Sequence, residues 1–272
     1  MKNSDSEMPR VLIIAGSDSG GGAGIQADIK TVSARGGYAA TAITALTAQN
    51  THGVFGVEAV SPEFVRQQME LVLDDIGADA IKTGMLFSEA IIRDVVDVLV
   101  QRSLLIPIVV DPVMTAKGGT RLLKPEAEDA MRTQMMPLAT LVTPNIPEAQ
   151  ILSKMSIHSL ADMKLAAGKI VEAGAKAVLL TGGHGDGETL YDVYLSATEY
   201  EVFESTRIHT EHTHGTGCTI ASAIATELAK GARMRDAIIM ARAYVRKAIE
   251  HAPGFGGGHG PVNHLVQTDE NG

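Results

Sequence analysis

The 272-residue chain is 45% hydrophobic and only 4% aromatic, has no tryptophan, and carries a formal net charge of −9. That length and apolar content suffice for one large α/β domain or two small ones. The acidic balance argues against nucleic acid and anionic membrane as partners, and a single cysteine, Cys218, excludes an internal disulfide and suits a reducing, cytoplasmic setting.

Residues 1–10 are polar and lack an apolar core, which predicts a flexible lead rather than a signal peptide. No stretch approaches the length of a membrane span. The first strand is expected at Val11–Ala15, a continuous β-branched run of the kind buried on both faces of a parallel sheet. Helical periodicity follows over Gly24–Arg35, and a weaker strand pattern covers Ala40–Thr44. Helical patterns at Pro62–Asp75, Ser88–Gln101, Pro125–Met135 and Ser159–Ala173 then alternate with strand-like runs. Those runs are Ala80–Lys82, Ile106–Val110, Leu141–Thr143 and Ala177–Thr181. The alternation predicts βαβ units with right-handed crossovers in one mostly parallel sheet. The last third breaks the rhythm with a hairpin, Thr189–Leu195 and Glu199–Glu204. Two helices follow, about Gly217–Lys230 and Met234–Ala252, with Gly231 as the expected residue past the first. A single domain over 11–266 and a flexible tail over 267–272 are the simplest organisation.

Unusual residues gather after the strands, in Ala15–Gly24, Thr83–Met85, Asp111–Met114, Thr143–Glu148 and Thr181–His184. Open α/β sheets bind ligands outside the carboxyl ends of their strands, so these loops are expected to share one cleft. The first loop, Gly16-Ser17-Asp18-Ser19-Gly20-Gly21-Gly22-Ala23-Gly24, allows close backbone approach to a ligand. It also fits a loose dinucleotide fingerprint, but no Asp or Glu lies between Asp28 and Glu58 to hold a ribose. A Walker A loop is absent, because Met163 stands where Gly168-Lys169 would need a glycine.

Asp28, one turn into the first helix, is either a ligand-facing carboxylate or one that favours the helix dipole. The amides of Gln49 and Asn50 suit a heteroaromatic ring, which offers donors and acceptors together, and suit a plain turn equally. Asp111, Asn145 and Glu148 have the chemistry that holds Mg²⁺ beside phosphates. Asn145 and Glu148 are also spaced as a helix cap. His212-Thr213-His214-Gly215-Thr216-Gly217-Cys218 is more specific: two glycines open a helix whose unpaired N–H groups and dipole form an anion cradle. That field is expected to favour a Cys218 thiolate. The Cys and His spacing does not suit zinc, and covalent catalysis by Cys218 stays open.

Further motifs extend the pattern. They are Gly21–Asp28, Thr44–Thr51, Lys82-Thr83-Gly84-Met85-Leu86, Asp111-Pro112-Val113-Met114, Thr143-Pro144-Asn145-Ile146-Pro147-Glu148-Ala149, Gly182-Gly183-His184, His214–Cys218 and Gly258–His264. In this order, from about Val11 to Leu265, the chain resembles the bacterial hydroxymethylpyrimidine/phosphomethylpyrimidine kinases of the ribokinase-like superfamily. The resemblance implies a ribokinase-like α/β fold, a small hairpin flap near a nucleotide site, ATP and Mg²⁺ as cofactors, and a homodimer. It also implies two phosphorylations of 4-amino-5-hydroxymethyl-2-methylpyrimidine for thiamine synthesis.

On the same basis Gln49 and Asp28 would hold the pyrimidine's polar edge, and Gly16, Ala23, Met85 and Val113 its ring. Gly215, Thr216 and Gly217 would form the anion hole, with Cys218 as base or orienting group. Asp111 and Glu148 would serve Mg²⁺, and Asn145, Thr181, Lys117 and Lys247 the nucleotide. Two positions depart from the family: Thr181 replaces a usual Lys, with Lys117 as a substitute cation, and Gly20 replaces a frequent Ser. The rival readings are a pyridoxal kinase of the same superfamily and a non-catalytic pyrimidine sensor. Gly182–Gly187 and Thr115–Thr120 are the loops expected to move.

Overall fold

Along the first strand, β1 (Arg10–Asp18), alternate side chains enter two different cores. Leu12 and Ile14 face one apolar cluster, while Val11, Ile13 and Ala15 face the other. Both sides of the sheet are therefore covered, which explains why the strand reads as an unbroken apolar run. The computed structural model describes residues 8–103, 105–116, 118–183 and 187–266. The expected lead, up to residue 7, and the expected tail, 267–272, lie outside those residues.

The chain continues through α1 (Gly24–Ala34), β2 (Tyr38–Asn50), β3 (Gly53–Ala59), α2 (Pro62–Asp75), β4 (Ala80–Thr83), α3 (Glu89–Gln101) and β5 (Ile108–Val110). A single α-turn, α4 (Ala127–Ala130), runs into wider and then tighter turns as far as Leu138. Then come β6 (Leu141–Val142), α5 (Ile146–Ser153), α6 (Leu160–Glu172), β7 (Ala177–Leu180), β8 (Thr189–Ser196), β9 (Tyr200–Thr206), α7 (Thr216–Ala229) and α8 (Met234–Glu250). One nine-stranded sheet has the order β3-β2-β1-β4-β5-β6-β7-β8-β9. The six strands from β2 to β7 pair in parallel; β3 at one edge and β8–β9 at the other run antiparallel. Helices α1, α7 and α8 cover one face, and α2, α3 and α6 the other.

Local chemistry explains most boundaries. Ser61, Ser88 and Ser159 accept the N–H groups of Phe64, Ile91 and Asp162 and so start α2, α3 and α6. Gly231, at φ +90°, follows α7 as expected. Three elements differ from the expectations. The weak pattern at Ala40–Thr44 is the first half of a 13-residue strand that carries Gln49 and Asn50 at its end. Strand β3, unanticipated, folds back on it and leaves Phe55 73% exposed. The helix expected at Pro125–Met135 keeps only one regular turn before the ladder widens at Met131.

A glycine-rich segment near the end of the sequence closes over the β2–β3 turn. His259 N–H donates to the Thr51 carbonyl at 2.8 Å, and Gly258 N–H to Thr51 Oγ1 at 3.3 Å. His214 N–H then donates to the Gly260 carbonyl at 3.1 Å. The segment thus ties the tip of β2–β3 to the loop that precedes α7.

Candidate functional site

Strand order reverses between β1 and β4, and there the carboxyl ends of the parallel strands surround a cavity of about 490 Å³. Gly16, Ala23, Gln49, Met85, Asp111, Val113, Asn145, Glu148, Thr181 and residues 215–218 all line it.

One wall is built from the first loop, the end of β2 and the start of α7. Asp18 is its anchor. The carboxylate accepts N–H groups from Gly20 at 2.8 Å, Gly22 at 3.0 Å and Ala23 at 2.8 Å. His214 Nε2 lies 2.9 Å from Asp18 Oδ2 and 3.2 Å from Gln49 Nε2. Burial acts to raise the Asp18 pKa, but the bonds from His214 and the loop amides outweigh it and hold the group below the usual carboxylate value. Thr47 Oγ1 stands 3.3 Å from Gln49 Oε1 and 3.0 Å from the Ser17 carbonyl.

Gly215 precedes α7 at φ +87°, and a β-carbon there would overlap the Gly22 carbonyl oxygen. Only glycine lets the two loops meet backbone to backbone. The N–H groups of Gly217 and Cys218 fall in the unladdered first turn of a 14-residue helix, where anions are favoured, while Thr216 N–H turns back to the Thr213 carbonyl at 3.4 Å.

Beneath the cavity lies a buried charge cluster, and it corrects two expectations. Asp28 is not on the wall. It sits on the sheet-facing stripe of α1 with Ile25, Ala27, Thr31 and Val32, fully buried. Both its oxygens accept from Lys82 Nζ at 2.9 Å, and Oδ1 also accepts from Ser222 Oγ at 2.6 Å. Burial disfavours the Lys82 charge, but the carboxylate of Asp28, with Asp111 beside it, acts the other way and keeps the ammonium protonated.

The second correction concerns Cys218. Its surface is partly open because it faces the cavity. Even so, burial pushes the thiol up, and although Lys82 opposes the shift, Asp111 and Asp28 add to it. These causes favour a neutral thiol over the thiolate expected from the dipole at the start of α7.

The opposite wall comes from the ends of β5, β6 and β7. Asn145 caps α5: its side chain accepts Glu148 N–H at 3.0 Å, and Glu148 Oε2 accepts Asn145 N–H at 3.0 Å. Both residues still line the cavity, so capping and ligand contact coexist. Asp111 is buried, and its Oδ2 has no hydrogen-bond partner; Lys82 Nζ lies 3.6 Å away. The Thr143 hydroxyl is likewise buried without a partner. Burial, followed by the charge of Asp111, pushes Glu148 up to about 8. Among the described residues no three acidic, Cys or His side chains gather as a metal cage. Two crowded carboxylates with an orphaned oxygen nonetheless fit a hard divalent cation that takes its other ligands from water and phosphate.

Thr181 lines this wall and pairs with Asn145 through the backbone. Lys117 and residues 184–186 lie outside the described residues, so parts of both loops expected to move do as well. Lys247, on α8, does not reach the cavity wall. Sequence reasoning missed the roles of Asp18, Thr47, Lys82 and His214. The available signal was a lysine inside an apolar strand, which requires a buried counter-charge.

The phosphomethylpyrimidine kinase family model matches residues 18–263. The hydroxymethylpyrimidine/phosphomethylpyrimidine kinase of Bacillus subtilis is 44% identical over 258 residues, covering 94% of this chain and 95% of that protein. The thiamine biosynthesis bifunctional protein ThiED of Geobacter sulfurreducens is 47% identical, covering 98% of this chain; the chain spans 55% of its length. Among solved structures, an ADP complex of Bacillus subtilis pyridoxal kinase has a TM-score of 0.88 at 40% identity, covering 95% of this chain and 98% of that one. The phosphomethylpyrimidine kinase of Clostridium difficile has a TM-score of 0.79 at 42% identity, covering 89% and 100%.

Proposed function

Because the chain belongs to the phosphomethylpyrimidine kinase family, we propose that it moves the γ-phosphoryl group of ATP to the hydroxymethyl oxygen of 4-amino-5-hydroxymethyl-2-methylpyrimidine, and then phosphorylates that monophosphate for thiamine synthesis. The chain is a kinase of ribokinase-like fold. The observation that carries the reading is one cavity that joins the Gln49 amide, the glycine-flanked start of α7 and the Asp111–Glu148 pair.

Phosphoryl transfer passes through a loose transition state, so the protein's work is positioning and charge stabilisation. Gln49 would pair with the ring edge, and Gly16, Ala23, Met85 and Val113 would flank the ring. The N–H groups of 215–217 would receive the charge of the transferring group. Asp111 and Glu148 would hold Mg²⁺, which neutralises phosphate charge when bound. Asn145 and Thr181 would face the nucleotide. Cys218, a neutral thiol, would orient the acceptor oxygen. Replacing Cys218 with Ala is expected to lower kcat by about 10²-fold with little change in KM for the pyrimidine. Near wild-type turnover would remove Cys218 from the mechanism.

The solved pyridoxal kinases of similar fold favour a second reading, in which the ring is pyridoxal. An ADP-release assay with the pyrimidine, its monophosphate and pyridoxal separates the two. Release with both pyrimidines is expected. Release with pyridoxal alone would reassign the substrate, and release with none would overturn the function. The proposal includes a homodimer in the cytoplasm. No described helix is long and apolar enough to cross a membrane, and sedimentation checks the dimer.

A further inference from the structure

Three polar groups meet at one point of the first wall, and their hydrogens do not match in every arrangement. With Gln49 Nε2 3.2 Å from His214 Nε2, and His214 Nε2 2.9 Å from Asp18 Oδ2, a single ring nitrogen faces a donor and an acceptor together. A carboxylate can only accept, so His214 Nε2 must carry the hydrogen. The amide N–H₂ of Gln49 would then point a donor at a donor. Turning the amide by half a rotation removes the conflict, because its oxygen and nitrogen exchange places.

We propose that Asp18 fixes a hydrogen on His214 Nε2, and that this hydrogen sets the orientation of the Gln49 amide, with Oε1 toward His214 and Nε2 toward Thr47. No donor then faces a donor, and every hydrogen has an acceptor within reach. His214 Nε2–H is shared between Asp18 and Gln49 Oε1. Gln49 Nε2–H donates to Thr47 Oγ1, and the Thr47 hydroxyl donates to the Ser17 carbonyl at 3.0 Å. The opposite orientation leaves Thr47 with one hydrogen for two acceptors and sets two donors face to face.

The anchors cannot turn to escape this constraint. Asp18 is held by three loop amides. His214 is buried, its own N–H is bonded to Gly260, and its ring packs so closely on Gly22 that a β-carbon there would lie 2.5 Å from Cδ2. Asp18 and His214 are positioning residues, and the residue they position is the one that reads the ligand.

The consequence is specificity. Two hydrogen-bonding capacities of Gln49 remain for the cavity, one N–H on the Thr47 side and one Oε1 lone pair on the His214 side. The complementary ring edge presents an acceptor to the first and a donor to the second. This assignment rests on the reading of the cavity as a pyrimidine site, in which a ring nitrogen and its neighbouring amino group supply that pair. A lactam edge, with a carbonyl in place of the amino group and a hydrogen on the ring nitrogen, reverses it.

Two measurements test the proposal. The first is long-range ¹H–¹⁵N NMR of the wild-type protein, with the His214 signal identified by its loss in His214→Ala. A hydrogen on Nε2 is expected; a neutral ring with its hydrogen on Nδ1 would overturn the proposal whatever the substrate. The second compares kcat/KM for the 4-amino pyrimidine and its 4-oxo lactam. Wild-type discrimination of at least about 10²-fold is expected. In His214→Ala it should fall at least about tenfold through KM, since the freed amide can serve either edge. An unchanged ratio in the variant would sink the proposal. If neither pyrimidine is phosphorylated, the functional reading fails, and the NMR result alone decides the Asp18–His214 arrangement.

Discussion

The two walls of the cavity differ in how completely their polar groups are satisfied. On the wall of β1, β2 and α7, Asp18 accepts four hydrogen bonds, and Gln49 and Thr47 extend the same network. On the wall of β5, β6 and β7, Asp111 Oδ2 and the Thr143 hydroxyl are buried without hydrogen-bond partners, and Glu148 is crowded by a second carboxylate. Native interiors rarely leave such groups unpaired. The first wall is held in place before any ligand arrives and keeps the open capacities of Gln49 for the cavity, so it can select a neutral ring by fixed dipoles. The second wall is completed by what binds, which suits a cation and phosphates.

The sharpest way to break this contrast is to attack the cluster that supports both walls. Lys82→Met would strand two carboxylates, and a loss of about 3–5 kcal/mol in urea denaturation is expected. Adding Asp28→Asn should recover much of that loss; no recovery would mean that the pairing does not matter. Next, Asp111→Asn is expected to cut kcat by about 10²–10³-fold while the melting temperature holds or rises, because Lys82 alone faces both Asp28 and Asp111 and one excess negative charge disappears. A parallel fall in melting temperature would make the second wall structural.

A smaller effect separates the walls by pH. His264 accepts or donates at Thr219 Oγ1 (3.1 Å) beneath the first wall. Burial, helped by Lys30 and His214, lowers its pKa from 6.5 to about 4. The unfolded chain therefore binds the extra proton more readily. The stability this supplies is present above pH 6.5 and is lost as pH falls toward 4, by up to about 3 kcal/mol. In melts across that window, wild type should lose stability relative to the non-titrating His264→Gln as pH falls; parallel curves would reject the assignment. The smallest expected change is at Thr181. Thr181→Lys should lower KM for ATP several-fold, about 1 kcal/mol, and leave KM for the pyrimidine alone.

Much of this was legible in the chain. Continuous β-branched runs marked β1, β5, β6 and β7, because strands covered on both faces need no polar alternation. The ring of glycines around Cys218 marked the start of α7. Strand β3 was not legible, since an edge strand with Phe55 in solvent has neither a buried run nor a clear period. Asp28 misled because its place one turn into α1 fits both a ligand-facing and a sheet-facing position. Lys82, 54 residues away, decides between them, and pairings at that distance are set by strand order rather than by local sequence. The Cys218 thiol misled for a related reason: the dipole of α7 can be read from sequence, whereas the two carboxylates that oppose it come from α1 and β5.

The clasp of residues 258–261 over Thr51 has a consequence for synthesis. Translation proceeds from the N-terminus, so Gln49 and Asp18 emerge long before the residues that hold the β2–β3 turn in place. A nascent chain that has reached residue 250 contains all nine strands and Asp18, Gln49, Asp111 and Glu148, but the turn still lacks the Thr51–His259 bond. Ring recognition should therefore be among the last properties the chain acquires.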